Sequence, residues 1–286
     1  MPGEGTNGWR LGKREATSVG EVAYEVFGKG PPVILVHGTP MSSYLWHNIV
    51  PALTERRSVY VYDLLGYGES EKRKGQDVSI VAQARLLGEL IEAWGLDAPA
   101  IAGHDLGGGI VLRAHLLEGV SFRRIAVLDA VMLTPWLSEP RSSTWHVREY
   151  AEAYETMPDH LSVAFFSAYL GETNSNLDQE TFKAYVAPWQ GEEGRHAFVR
   201  QALQFEEWHT GEIESQLDCI EVPVLVAWGE EDGWLDPSQA PRLQQEIPGS
   251  KLEFISRAGH FVQEDAPDSV TEVLMDFFSG DEGQMS

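Results

Sequence analysis

Six short apolar runs, interleaved with stretches of helical periodicity, constrain this chain more than any other feature. The runs are Pro32–His37, Ser58–Asp63, Ala98–Gly103, Arg124–Leu128, Pro223–Trp228 and Lys251–Ile255. A strand with one wet face alternates apolar and polar residues. Val33-Ile34-Leu35-Val36 does not alternate, so it suits a strand covered on both faces, as in a parallel sheet. Helical patterns fall at Ser79–Trp94, Gly107–Leu117, Ser238–Glu246 and Asp265–Phe278. Strands that alternate with helices imply βαβ crossovers. The expected fold class is α/β, with a mostly parallel central sheet and helices on both faces. Further strand signals stand at Trp9–Leu11 and Glu21–Phe27, behind a polar, glycine-rich segment 1–8 that reads as a disordered leader.

The alternation breaks between residues 134 and 216. That stretch has helical periodicity, many aromatic residues and no strand signal, with turn residues at Pro158, Gly171, Pro188 and Gly191. Its place between two strands of one sheet predicts a helical lid over the carboxyl ends of the strands, where open α/β sheets bind ligands. The core is then 9–133 together with 217–286.

Charge narrows the choice of ligand. The 286 residues carry 21 Lys+Arg against 44 Asp+Glu, a formal net charge of −23. Phosphates are repelled by such a surface, so neither nucleic acid nor an anionic membrane is an expected partner. A small, neutral, apolar substrate is compatible. The one cysteine, Cys219, forms no internal disulfide and no cysteine metal cluster, and reads as a buried, inert thiol. No stretch approaches the ~18 apolar residues of a membrane span. The expectation is a cytoplasmic protein, monomer or homodimer, with no cofactor and no metal.

Chemistry concentrates in three loops that follow strands. Gly103-His104-Asp105-Leu106-Gly107-Gly108 follows a strand and opens a helix, as a nucleophile elbow requires. Esterases carry Ser at the middle position; here it is Asp105. A carboxylate needs no deprotonation before it attacks, which suits displacement at saturated carbon better than acyl transfer. The helix N-terminus keeps it ionised. His37-Gly38-Thr39-Pro40 follows another buried strand; the N–H of Thr39, with that of Leu106, forms an oxyanion hole. Ala258-Gly259-His260 follows the last strand, and the order nucleophile, acid, histidine makes His260 the general base. The acid behind it is Asp232, in Gly229-Glu230-Glu231-Asp232, or alternatively Asp129, at the end of an earlier strand. His37 and His104 read as hydrogen-bonded structural histidines.

These motifs resemble the α/β-hydrolase superfamily, in the branch with an aspartate nucleophile: haloalkane dehalogenases and epoxide hydrolases. The resemblance runs from about Trp9 to Phe278. It is carried by His37-Gly38-Thr39-Pro40-Met41-Ser42-Ser43-Tyr44-Leu45-Trp46, by Asp63-Leu64-Leu65-Gly66-Tyr67-Gly68-Glu69-Ser70, by the His260 segment and by Tyr185-Val186-Ala187-Pro188-Trp189. It implies an α/β-hydrolase fold with an Asp-His-Asp triad that hydrolyses a neutral electrophile through an ester on Asp105. The chain departs from the pattern at the leaving group. Haloalkane dehalogenases typically place a Trp after the nucleophile to hold the halide; here it is Leu106, whose side chain has no donor. Their second donor is often an Asn where this chain has Thr39. Trp136, Trp145 or Trp189 would have to substitute, and Tyr150, Tyr154, Tyr169 and Tyr185 could activate an epoxide oxygen. Fluoroacetate dehalogenases hold their substrate with arginines beside the nucleophile, and none stands at Leu106 or Gly108. The rival expectation is a non-catalytic or non-hydrolytic ligand-binding member of the same fold.

Overall fold

The apolar runs lie side by side in one sheet. The structure, a computed structural model, describes residues 9–136, 147–173 and 175–280. Its strands are β1 (Lys13–Ala16), β2 (Glu21–Gly28), β3 (Pro32–Val36), β4 (Ser58–Tyr62), β5 (Ala100–His104), β6 (Arg124–Leu128), β7 (Val224–Gly229) and β8 (Lys251–Ile255). They are ordered β1-β2-β4-β3-β5-β6-β7-β8. β2 is antiparallel to both β1 and β4, and all other neighbours are parallel. A tight turn, closed by Thr17 N–H to the Gly20 carbonyl at 3.0 Å, suffices between β1 and β2. Parallel neighbours need a long crossover instead.

Helices supply those crossovers. They are α1 (Val50–Leu53), α2 (Ile80–Ala93), α3 (Leu106–Leu116), α4 (Ala151–Glu155), α5 (Asp159–Gly171), α6 (Gln179–Val186), α7 (Gly191–Leu203), α8 (Trp208–Glu214), α9 (Gln239–Glu246), α10 (Val262–Asp265) and α11 (Pro267–Ser279). α2 begins where Ser79 Oγ accepts the Ala82 N–H at 3.3 Å, an N-cap that satisfies an orphan donor. α3 is buried throughout residues 106–114, between the sheet and α8. None of the described helices is long and apolar enough to cross a membrane.

The absence of alternation in the central runs has a direct structural cause. Every residue of β5 and β7 is buried, and Val33, Ile34, Leu35 and Val36 of β3 are fully excluded from solvent. β8, at the sheet edge, is mostly exposed and carries Lys251 and Glu253, charges that discourage edge pairing. The strand expected at Trp9–Leu11 lies instead at Lys13–Ala16. Trp9 and Leu11 pack into the core: the Trp9 ring sits 5.4 Å from Phe27 and its indole donates to Ser43 Oγ at 3.3 Å. Their apolarity marked burial, while the ladder forms where β2 offers a free edge. Cys219 is a second correction. It is exposed, in a turn before β7, where the hydrogen bond and charge of Asp218 raise its thiol pKa.

Between β6 and β7 the described residues include the helices α4 to α8 and no strand. Tyr154, Phe165, Phe166, Tyr169 and Phe198 pack there with ring centroids 4.8–6.4 Å apart. Polar contacts tie this layer to the core. The fully buried Trp189 donates its indole N–H to the Pro40 carbonyl at 2.7 Å, and Gln204 Oε1 accepts the Val78 N–H at 2.7 Å. Ile101, in β5 near the middle of the sheet, has no solvent exposure. Replacing it by Ala should cost about 2–5 kcal/mol of stability, read as a lower urea midpoint at an unchanged slope.

Candidate active site

The strand-to-helix turn at Asp105 is strained. Its backbone has φ 52° and ψ −122°, outside the regions open to ordinary L-residues. Such strain persists only where neighbours enforce it, and it clusters at functional sites. Here close backbone packing enforces it. A Cβ on Gly107 would stand 2.6 Å from the Val36 carbonyl oxygen, so α3 meets β3 only through glycine. A Cβ on Gly38 would stand 2.2 Å from Asp105 Oδ1, which clears the space the carboxylate occupies. The Thr39 N–H donates to that Oδ1 at 2.7 Å. Leu106 is the first residue of α3, so its N–H belongs to the set without an intrahelical acceptor.

His260 meets this carboxylate from the loop after β8. Its Nε2 lies 3.6 Å from Asp105 Oδ2, and its Nδ1 donates to Asp232 Oδ2 at 2.9 Å. The ring is fully buried. The His260 backbone N–H donates to the Thr173 carbonyl at 2.9 Å, and its carbonyl accepts from His104 Nε2 at 2.9 Å. The loop is therefore held between the sheet and the inserted helices. Asp232 is fixed just as tightly: its Oδ1 accepts the Trp234 and Leu235 N–H groups at 2.8 and 2.9 Å. Asp129 stands at the end of β6 and is also fully buried, but the histidine's hydrogen bond goes to Asp232.

Charges are crowded here, and they sort themselves by environment. Burial disfavours a charged His260, yet the flanking Asp232 and Asp105 outweigh it and raise its pKa to about 10. Burial, followed by repulsion from His260, lowers His104 to about 4, so that ring is neutral. His37 is held neutral by burial; its Nδ1–H donates to the Gly38 carbonyl and its Nε2 accepts the Leu64 N–H, both at 2.9 Å. Oxygen atoms of Asp129 and Asp232 and a ring nitrogen of His260 lie within 4.8 Å of one another. As a cation site the cluster is already spent, because His260 Nδ1 is turned onto Asp232 and Gly229 N–H is turned onto Asp129.

The other residues singled out in the sequence separate into groups. The indole N–H of Trp136 is bound to Thr210 Oγ1 at 2.7 Å, and that of Trp189 to Pro40, so neither donor is open. Trp145 lies outside the described residues. Tyr185 donates to Glu264, Tyr150 is exposed, and Tyr169 packs its ring 4.8 Å from Trp234. Two donors were not picked out. Trp234 stacks 5.0 Å from the His260 ring, and its buried Nε1 has no hydrogen-bond partner among the described residues. Gln201, on α7, accepts the Thr39 hydroxyl at 3.0 Å while its buried Nε2 has no such partner. Trp234 was legible as a neighbour of Asp232; Gln201 had no motif, only an uncharged polar residue among Phe198, Val199 and Ala202.

A family model described as the alpha/beta hydrolase fold matches residues 31–267. The chain belongs to the α/β-hydrolase family. This hydrolase is 27% identical over 276 residues to "Haloalkane dehalogenase 2" of Mycobacterium tuberculosis, covering 92% of this chain and 93% of that one. It superposes with a TM-score of 0.89 on an alpha/beta hydrolase fold protein from Burkholderia ambifaria, at 36% identity over 94% of this chain and 98% of that one. A haloalkane dehalogenase loop variant from Bradyrhizobium elkanii shares the fold, with a TM-score of 0.75 at 21% identity over 95% and 97% of the two chains.

The raised pKa of His260 makes the hydrolase's stability depend on pH. A proton bound more tightly in the folded state stabilises fully below the unfolded value of 6.5 and is lost as pH rises through about 10. Denaturation at pH 6, 8 and 10 should show wild type losing stability relative to His260→Gln across that window.

Proposed function

We propose that this hydrolase cleaves small, neutral, apolar electrophiles through a covalent ester on Asp105, with haloalkanes as the first substrate class. The observation that carries the reading is one arrangement. A carboxylate at a strained elbow has one oxygen on the Thr39 N–H at 2.7 Å and the other 3.6 Å from His260 Nε2.

The chemistry follows from charge. Asp105 attacks carbon, and the carbon–halogen bond breaks with its electron pair leaving on the halide. Esterification neutralises Asp105 and so removes one of the two carboxylates that hold a proton on His260. The imidazole releases that proton to solvent with the departing halide and becomes a base, still oriented by Asp232. It then takes a proton from water, whose oxygen adds to the ester carbonyl. The oxyanion faces the N–H groups of Thr39 and Leu106. Collapse frees the alcohol and leaves a water-derived oxygen on Asp105. Helices α4 to α8 act as a lid whose aromatic packing excludes water.

Leu106 leaves the halide without the usual donor, and Trp136 and Trp189 are committed elsewhere. The unpartnered N–H groups of Trp234 and Gln201 take that place in this reading. Neither group transfers a proton readily, which suits a leaving group that is stable as an anion. Tyr67 supports epoxides as a second class. Burial keeps it protonated beside Thr39 and Asp105, so it could protonate an alkoxide. The single cysteine and the neutral substrate are compatible with a cytoplasmic monomer or homodimer.

His260→Gln should accumulate the ester, seen by mass spectrometry as substrate mass on the peptide containing Asp105, and Asp105→Asn should show none. Single turnover in ¹⁸O-water should place the label on Asp105. No adduct across a panel of haloalkanes and epoxides would sink the reading and favour a ligand-binding role. In the trapping background, Gln201→Leu and Trp234→Phe should each slow ester formation about tenfold to a hundredfold, the worth of a hydrogen bond to a charged group.

A further inference from the structure

A carboxyl group behind the histidine has no place in that mechanism. Asp129 ends β6 in the left-handed region, with φ 42°, and its side chain is fully enclosed. Its N–H donates to the Ala227 carbonyl at 3.0 Å, which locks the residue against β7. Oδ1 accepts the Gly229 N–H at 2.8 Å. Oδ2 is buried and has no donor among the described residues. A carboxylate oxygen left in that condition is strongly destabilising. Asp232 and His260 stand beside it: an oxygen of one and a ring nitrogen of the other share the 4.8 Å cluster with Asp129.

We propose that Asp129 is a neutral carboxylic acid that donates a hydrogen bond from Oδ2 to Asp232, and so acts as a positioning residue for the acid behind His260. The inference rests on the reading of Asp232 as that acid, and it gives Asp129 the opposite protonation state from the ionised triad acid the sequence allowed.

Counting donors decides which of the two carboxyls keeps the proton. Asp232 accepts three hydrogen bonds, from Trp234 N–H, Leu235 N–H and His260 Nδ1–H. Asp129 accepts one. Two carboxyls that share a site cannot both ionise cheaply, and the better solvated one carries the charge. The count of charges agrees. His260 already serves Asp105 and Asp232. His104, the next ring, is neutral. A third anion would have no counter-charge of its own: the titratable groups that face it are Asp232 after β7 and His260 after β8, and His260 is already shared. Burial, then the charge of Asp232, hold the Asp129 carboxyl well above the usual carboxylate range. The proton also satisfies the orphan oxygen, because an O–H donates where a carboxylate cannot. No proton moves in this role. The hydrogen bond holds Asp232 in place beside His260.

Two variants separate a neutral donor from an ionised acid. Asp129→Asn keeps a donor for Asp232 and an acceptor for Gly229 N–H; Asp129→Leu keeps neither. With the haloalkane that turns over best, Asp129→Leu should lower kcat about tenfold to a hundredfold, the worth of a hydrogen bond to a carboxylate. Asp129→Asn should recover most of that loss. Infrared spectra of ¹³C-aspartate-labelled protein at pH 7 should show a protonated carboxyl stretch in wild type that is absent from Asp129→Asn. A spectrum in which the Asn variant loses no such band overturns the proposal. So does an Asn variant as impaired as Asp129→Leu. The infrared result needs no substrate, so it stands or fails separately from the ester on Asp105, and it survives a Leu variant that does not fold.

Discussion

Burying several carboxyl groups around a single imidazole is the constraint on which the rest of this structure depends. Asp105, Asp129 and Asp232 are all nearly or fully excluded from water, and His260 between them is fully buried. An ionised carboxylate in a low-dielectric interior is tolerated only with donors or an opposite charge. The fold supplies both by ending β5, β6 and β7 at the same edge. Parallel strands place their carboxyl ends together, so Asp129 and Asp232, far apart in sequence, come into one cluster with His260 from the next loop, and Asp105 meets the same imidazole. Backbone N–H groups meet each of them: Thr39 for Asp105, Gly229 for Asp129, and Trp234 and Leu235 for Asp232.

The strained backbone and the close-packed glycines serve the same arrangement. With φ at 52°, Asp105 is lifted off the sheet and out of the ordinary helix-cap geometry, and no side-chain cap bond forms to α3. Its carboxylate instead receives the Thr39 N–H from the neighbouring loop. The strain is held because Gly107 and Gly38 remove the atoms that would otherwise push the elements apart. The inserted helices complete the enclosure. Thr173 at the end of α5 receives the His260 N–H, and Gln201 of α7 receives the Thr39 hydroxyl. The layer that covers the site therefore also sets its geometry.

The strands and the three chemical loops were legible because local sequence carries their physics. A run without alternation means two covered faces, and a glycine-flanked aspartate between strand and helix means a sharp turn. β1 was misplaced because Trp9 and Leu11 are apolar for packing, while the true strand, Lys13-Arg14-Glu15-Ala16, is an edge held by backbone hydrogen bonds with little to bury. Cys219 was read as buried from its position before a strand, but it sits on an exposed turn. The tryptophans stand out in the sequence for their donors. Which donor is open depends on partners such as Thr210 and Pro40, which are distant in sequence.

By itself the sequence determined the fold class and the order of the candidate loops along the chain: a donor loop, an aspartate elbow, and a late histidine. Those follow from periodicity and from residue types that few other roles require. Only the tertiary structure decided which carboxylate the hydrogen bond of His260 meets, Asp232 rather than Asp129, because both follow neighbouring strands and either can reach a histidine at that edge. The difference is three hydrogen bonds against one. The same holds for Trp234 and Gln201, whose free donors exist only because nothing nearby accepts from them. Charge states and open valences are properties of surroundings, and surroundings are assembled by the fold.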